Sequence, residues 1–388
     1  MKNQILRALA PALFLIAAPS LYAGGPGGKT TTPATGEPKA PPSAFDELWG
    51  FATLYKNDAN PVIQELKLRG RYQGQYARVD ADQGDFDDWE NRRSRIGFDA
   101  KLFNRKIEIR LDAQSNDRFD PFYDRLVDAY IKWKPSDQFS LTVGRQKPQI
   151  GYFDFVQSTN TQPTFERSQI FNQLRVDRAT GVLAEGKSGN WTWQAGVYSN
   201  DVNREFGQFD GGWSWGAGIG YDFRKSWGLE KADWRLDWIH SDHQLLDTVF
   251  NRYDDIVSST LWIRQKPWSL VTELFYATGD RASDVFGFYV QPTWDLVPQK
   301  LQLVARYSYS NGDGPDSVFA QSRYERSVPL SGGGRGSEYH AGYLGLQYFI
   351  YGDKLKLMAG AEYGHLDGGG NGGDYDGLTV LTGVRLSF

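Results

Sequence analysis

From residue 63 to the final Phe388, apolar and polar side chains alternate one by one in segment after segment, and this period of two restricts the fold more than any other feature. Lys67 to Tyr76 places Leu68, Gly70, Tyr72, Gly74 and Tyr76 on one face and Lys67, Arg69, Arg71, Gln73 and Gln75 on the other. A strand with one apolar and one fully polar face lies between water and either lipid or a protein core. The pattern returns in Ile96, Phe98, Ala100, Leu102; in Ile107, Ile109, Leu111, Ala113; and in Trp213, Trp215, Ala217, Ile219, Tyr221. It persists to Leu378, Val380, Thr382, Val384, Leu386 and Phe388. Beyond the N-terminus no apolar run approaches the about 20 residues of a membrane-spanning helix, which excludes a helical membrane protein. A mean hydropathy of −0.54 beside 15% aromatics and 43 glycines fits strands that are apolar on one side only.

With the weaker segment Thr180, Val182, Ala184 included, the pattern gives 16 strands. Short connections are expected at 104–105, 135–138, 186–190, 225–231, 266–267, 298–300 and 352–354. Long ones are expected at 77–88, 115–124, 145–178, 200–212, 241–255, 278–284, 311–338 and 367–377. Seven short turns alternating with eight long loops put both ends of the domain on the short-turn side. The fold class is therefore an all-β, 16-stranded antiparallel transmembrane β-barrel over 63–388, with short periplasmic turns and long extracellular loops. Trp133, Phe139, Trp191, Trp213, Trp268 and Tyr351 near strand ends suit its interfacial aromatic girdles.

The N-terminus supplies an address. Lys2 and Arg7 precede the apolar stretch Ala8 to Ala18, and small residues follow near Ala23, so 1–23 reads as a secretory signal peptide. Gly, Pro and Thr dominate 24–42, which reads as a disordered tether. Within 43–58 a short periplasmic amphipathic helix is expected over Ala44 to Lys56, capped by Ser43 and carrying Phe45, Leu48, Trp49, Ala52 and Tyr55 on one face. Such a chain is exported to the outer membrane of a Gram-negative cell, where lipid and lipopolysaccharide surround it.

If the apolar face meets lipid, the polar face lines a lumen. Fifteen bases and 11 acids fall on that face, and ten of the bases lie on the first four strands, among them Lys67, Arg69, Arg71, Arg93, Arg95 and Arg110. One sector of the wall is thus basic. The eight long loops hold 27 acids and 13 bases, but the longest, 145–178, reverses the balance with Arg145, Lys147, Arg167, Arg175 and Arg178 against Asp154, Glu166 and Asp177. A loop of this length is commonly functional. Folded inward, it narrows the lumen and faces the basic sector, and rings of Arg or Lys favour anions. These eleven basic residues are the expected pore-lining, anion-binding set. Within the lumen, Arg110 pairing with Asp112 or Asp128 is the alternative use of the charge. Tyr130, Tyr152, Phe153, Phe155 and Phe165 fit either a slide for sugar rings or pins that fix the loop to the wall.

Other function classes find little support. The formal charge of −4 argues against nucleic acid as a partner, and the absence of Cys excludes disulfides and thiolate metal sites. Gly212-Trp213-Ser214-Trp215-Gly216 matches G-x-S-x-G but sits in an alternating strand, without the strand-turn-helix context of a nucleophile, so an enzyme is not expected. His240, His243, His340 and His365 are dispersed, and the glycine-rich stretch 368–376 is a single calcium-repeat-like copy. No metal or cofactor is expected. A porin for saccharides or sugar acids is the nearer rival to an anion porin.

Three pieces carry a family resemblance: Arg92-Arg93-Ser94-Arg95-Ile96-Gly97-Phe98, Leu141-Thr142-Val143-Gly144-Arg145-Gln146-Lys147-Pro148, and Phe165-Glu166-Arg167-Ser168. Their order and spacing resemble the phosphate-selective porin O and P family of Gram-negative outer membranes, over nearly all of 63–388. The resemblance implies a homotrimer of 16-stranded pores whose third extracellular loop enters the lumen, with basic residues conducting small anions such as phosphate. By motif match it assigns a pore role to Arg93, Arg95, Arg145, Lys147 and Arg167.

Overall fold

The computed structural model describes residues 43–201, 205–242, 253–320, 323–330, 334–368 and 373–388, and the expected signal peptide and tether of 1–42 lie outside them. Sixteen antiparallel strands form the wall: β1 Ile63–Ala81, β2 Gly84–Leu102, β3 Ile107–Ser115, β4 Tyr123–Ser136, β5 Phe139–Gln146, β6 Ala179–Ser188, β7 Trp191–Ser199 and β8 Trp213–Asp222. Then come β9 Lys231–Ser241, β10 Asp255–Gln265, β11 Trp268–Gly279, β12 Ala282–Val297, β13 Leu301–Gly312, β14 Glu338–Tyr351, β15 Leu355–Asp367 and β16 Tyr375–Ser387. Each pairs with its neighbours in sequence, and β16 returns to β1 with Gly377 opposite Ala81 and Ser387 opposite Arg71, which closes the barrel. Closure leaves no bare edge among the wall strands.

Polarity along these strands is inverted relative to a water-soluble sheet. On β15, Lys356 is fully buried while its neighbour Leu357 keeps 47% of its surface exposed. Leu344, Leu346 and Tyr348 of β14 likewise face outward, and Gln347 faces in. None of the described helices is long and apolar enough to cross a membrane, so any crossing is made by the strands.

Two of the expected long loops are hairpins instead. β1 and β2 each run for 19 residues and turn at 82–83, and β11 and β12 turn at 280–281. Asp80, Asp82, Asp85, Asp87 and Asp88 made 77–88 read as a loop. A ladder that rises beyond the apolar zone has water on its outer face, so its strands can carry carboxylates without alternation.

The N-terminal helix, α1, is also shorter than expected, spanning Ala44–Gly50 rather than Ala44 to Lys56. Residues Thr53–Lys56 form a short strand on β1, with Thr53 opposite Lys67 and Lys56 opposite Glu65. The reason lies in the closing register: β16 reaches β1 only as far as Arg71, so the start of β1 would present bare backbone donors and acceptors. The short strand pairs with them. α1 caps the same end, where the Trp49 indole donates to the Ser387 carbonyl at 2.6 Å and Phe45 stacks on Tyr351.

Gly144 of β5 shows how tightly the wall is drawn. It lies opposite Tyr130 with φ +124°, and a Cβ there would stand 2.3 Å from the Ala129 carbonyl oxygen. Gly144→Val is expected to cost about 1–3 kcal/mol in backbone strain alone. The check is the temperature at which the folded barrel loses its compact mobility in detergent gels, which should fall; an unchanged temperature would refute the strain.

Candidate functional site: a basic chamber beside an inner loop

Residues 147–178 leave β5, cross the lumen and return to β6. A backbone taken inside a barrel needs partners for every buried donor and acceptor. On the near wall, Lys147 Nζ donates to the carbonyls of Phe155, Val156 and Gln157 at 2.6, 3.3 and 3.0 Å, and Gln194 of β7 donates to the Gln149 carbonyl. On β11, Glu273 accepts the backbone N–H groups of Phe153 and Asp154 at 2.7 and 2.9 Å. Arg306 of β13 donates to the Glu166 carbonyl while paired with Glu362, and Arg385 of β16 donates to the carbonyls of Thr159, Thr164 and Phe165. Contacts on β7, β11, β13 and β16 place the loop inside the barrel.

A one-turn helix, α2 (Gln169–Leu174), completes the loop. Ser168 caps it, its hydroxyl accepting from Phe171 N and donating to the Asp154 carboxylate at 2.5 Å. Phe155 stacks on Phe171, Phe171 meets Phe275 edge-on, and Phe153 meets Trp262 at 4.9 Å. These side chains join Ile150, Ile170 and Leu174 in a buried cluster against β10, β11 and β12. Phe165 packs in a second cluster with Ala77, Tyr339, Tyr343 and Leu381. Phe153, Phe155 and Phe165 therefore act as pins. At about 1.5–3 kcal/mol for each buried Phe, they outweigh any single hydrogen bond of the loop.

Residues 317–319, between β13 and β14, pack on this element, with Gln173 donating to the Ser317 carbonyl and Gln169 to that of Phe319. Open volume remains at the short-turn end of β10 to β14, about 670 Å³, and beside β1 to β6, as a chamber of about 530 Å³ bordered by Gln149, Val156, Ser158 and Asn160 of the loop.

Eight basic side chains line this chamber against three acidic ones. Half of the cations are matched. Arg69 lies between Asp99 and Asp112 at 2.7 and 3.0 Å, Arg110 grips Asp99 through two nitrogens, Arg178 holds Asp128 at 2.9 Å, and Lys132 pairs with Glu185. The pairing of Arg110 with Asp112 or Asp128 is thus corrected to Asp99. Gly97 makes this crossing of charges possible, because a Cβ there would stand 2.3 Å from Asp112 Oδ1.

Arg71 and Arg95 differ. Arg71 donates to the hydroxyls of Thr159 and Ser158 at 2.8 and 3.2 Å, and Arg95 to the Gln114 amide oxygen at 3.1 Å. Neither has a carboxylate at ion-pair distance among the described residues, and neutral acceptors leave their charge uncancelled. Burial and the nearby Arg178 and Arg167 push the Lys147 ammonium well below its usual range.

Six of the eleven expected residues, Arg69, Arg71, Arg95, Arg110, Lys147 and Arg178, line the chamber. The others lie elsewhere. Arg93 is buried on the Gln73 amide inside the barrel, away from the chamber, and Arg145 on the carbonyls of Leu126 and Glu205. Arg167 donates to the Asp154 carbonyl with its guanidinium over Phe155 and Phe171. Arg175 is exposed at the end of α2, and Lys67 pairs with Glu65. Ser214 is buried in β8 on the Asn200 amide oxygen, not on a turn. His243 lies outside the described residues.

Strict alternation overlooked Arg92. The register passes from Gln73 opposite Arg93 to Gly74 opposite Asn91, so Arg92 is the extra residue of a β-bulge. Both Arg92 and Arg93 consequently turn inward, and Arg92 binds Glu166 of the inner loop through two nitrogens at 2.8 and 2.9 Å.

With this geometry in view, similarity to known proteins has a structural meaning. Residues 66–215 match the phosphate-selective porin O and P family. The match spans the basic sector, the inner loop and the strands that carry both. An uncharacterized protein of Caulobacter vibrioides is 23% identical over 352 residues, which cover 89% of this chain and 64% of that protein. The chain therefore spans less than two thirds of that relative's length. Three solved structures share the fold. Pseudomonas putida OprB in its high-pH structure is 14% identical, with a TM-score of 0.60 over 83% of this chain and 94% of that one. Salmonella typhi OmpF in complex with daunomycin is 14% identical, with a TM-score of 0.59 over 87% and 100%. The outer membrane channel DcaP of Acinetobacter baumannii is 12% identical, with a TM-score of 0.56 over 86% and 99%. The fold is the one these outer-membrane barrels share.

Burial alone would raise the Glu166 carboxyl, yet the Arg92 guanidinium, helped by Arg93 and the Gln75 amide, holds it down at about 2. A depressed carboxylate stabilises the docked loop above its ordinary 4.5 and loses that contribution as the pH falls through about 2. The protection of 147–178 against hydrogen exchange, relative to the intrinsic rate at each pH, should hence be unchanged from neutral pH to about 4.5 and fall below it. Arg92→Ala, which strands a buried carboxylate, is expected to weaken docking by about 3–5 kcal/mol at neutral pH. Unaltered exchange in that variant would remove Arg92 from the anchoring role.

Proposed function

We propose that this chain forms a water-filled diffusion channel in the outer membrane that favours small anions, phosphate-like ions among them. The observation that carries this reading is that Arg71 and Arg95 face the chamber on neutral acceptors alone. Each contributes a full positive charge in a narrow passage walled by protein, where fields are screened far less than in bulk water. Anions are drawn in and cations repelled, as in other pores lined by Arg and Lys. Arg69, Arg110 and Arg178 act differently: their carboxylate partners cancel most of their charge, and they brace the wall on which the unmatched pair stands. Lys147 holds the loop that narrows the passage.

An anion in transit exchanges its water for guanidinium N–H groups and gives them up again at the far side. The hydroxyls of Ser158 and Thr159 and the Gln114 amide are weak acceptors, so an entering phosphate displaces them from the guanidiniums at small cost. A homotrimer suits this reading; OmpT of Vibrio cholerae, a barrel of similar fold, is described in a trimer form.

The test is the zero-current potential of the purified channel in a planar bilayer under a tenfold KCl gradient. The unmodified channel should favour chloride, and Arg71→Gln with Arg95→Gln should move the potential most of the way to zero while the pore stays open. Potassium preference in the unmodified channel would overturn the reading. An unshifted potential in the double variant would move the selective site elsewhere.

A further inference from the structure

We propose that the preferred solute is a hydroxylated ring carrying one phosphoryl group, of the sugar-phosphate class, held between two unlike walls. The inference rests on the anion-selective reading and extends it to the body of the solute. A second cavity of about 670 Å³ lies on the opposite wall, bordered by β10 to β14, and has a different chemistry. Its glutamines Gln291, Gln302 and Gln347 and its aromatic rings Trp262 and Phe349 face a lining in which basic and acidic side chains nearly balance, three against two. The two spaces adjoin: Asn160 borders the first and Thr161 the second, and Lys354 borders the first where Asp353 borders the second.

An inorganic anion needs the basic chamber only. Amides suit another kind of ligand, because a hydroxyl both donates and accepts and matches an amide at either end. The glutamines are arranged for this. Gln347 donates to Gln302 at 2.8 Å and Gln302 donates to Asp295 at 2.8 Å, a relay that fixes the orientation of both amides. It leaves Gln347 Oε1 buried with no partner, and Gln291 Nε2 on the same cavity is also unpartnered. Buried polar atoms are seldom left unpaired without a reason. One orphan accepts and the other donates, and both lie just beneath the cavity surface, so the hydroxyls of a polyhydroxylated solute meet them once the amides turn outward, while its C–H faces pack on the aromatic rings. A volume of this order is that of small-molecule sites in general. The phosphoryl group then lies toward Arg71 and Arg95 and the ring toward the glutamines.

The experiment measures block of the chloride current through the channel in a planar bilayer by glucose 6-phosphate, inorganic phosphate and glucose. Glucose 6-phosphate should reach half-block at a concentration at least tenfold below that of phosphate, with glucose weakest. Gln291→Ala with Gln347→Ala should bring the ratio between glucose 6-phosphate and phosphate from about tenfold to near unity; Thr293→Val serves as a second, milder variant on the same wall. Equal block by the two phosphates in the unmodified channel overturns the proposal, as does block by glucose as strong as by its phosphate. A ratio that survives both sets of substitutions overturns the assignment to this wall. Failure of the anion-selective reading would appear separately, as a zero-current potential of the cation-preferring sign.

Discussion

Everything in this lumen depends on how the backbone of an inward loop is satisfied. Carbonyl groups drawn into a barrel without regular structure need donors, and here the donors are cations of the wall. Lys147 takes three carbonyls, Arg385 takes three at 3.0 Å or less, and Arg306 and Lys356 reach those of Glu166 and Gln162. Arg306 and Lys356 are also ion-paired, with Glu362 and Asp353, and anchor the loop without adding a net field. Arg385 rests on carbonyl dipoles, which complete its hydrogen bonding without cancelling its charge, so there anchoring and field have one origin.

Within the chamber the same residue types serve two ends, and the partner decides which. Arg110 meets Asp99 on the neighbouring strand, Arg69 reaches across β2 to Asp112, and Arg178 of the inner loop meets Asp128 of β4, forming a braced, nearly neutral lattice. Arg71 and Arg95 meet hydroxyl and amide groups and stay uncompensated. A wall made only of unmatched guanidiniums would repel itself, whereas one made only of ion pairs would have no field. The alternation of the two along β1, β2 and β3 avoids both conditions.

Much of this was legible in the sequence because period two is enforced by physics: lipid outside and water inside leave one face for each residue type. Strand number, direction and the side of the long loops follow from it, as does the basic sector. What remained hidden lies where that rule lapses. A bulge at Arg92 puts two consecutive arginines inside, and no alternation reports that. The hairpins at 82–83 and 280–281 rise to where the outer face meets water and carries polar side chains, and they read as loops. The helix ending at Gly50 gives way to a strand because of an edge left by the closing register, which is a property of the far end of the chain. Which carboxylate each arginine meets depends on cross-strand register to within one residue, and composition is silent on it.

The position of the open passage follows from an exception that the sequence does contain. Inward-facing positions on β9 to β12 include Ile239, Ile256, Val271, Phe275, Ala277 and Val285, so these strands carry apolar side chains on both faces where the loop lies. A water-filled passage cannot run along such a surface without leaving apolar area wet. The loop residues Ile150, Phe153, Phe155, Ile170, Phe171 and Leu174 match that surface. Docking buries both sets at once and leaves open volume beside β1 to β6, where inward positions are charged or amide, and at the short-turn end of β10 to β14, beyond the apolar patch. The basic chamber is thus placed by apolar contact and lined by the charged and amide residues that this contact leaves uncovered, so its position and its charge are set by different parts of the wall.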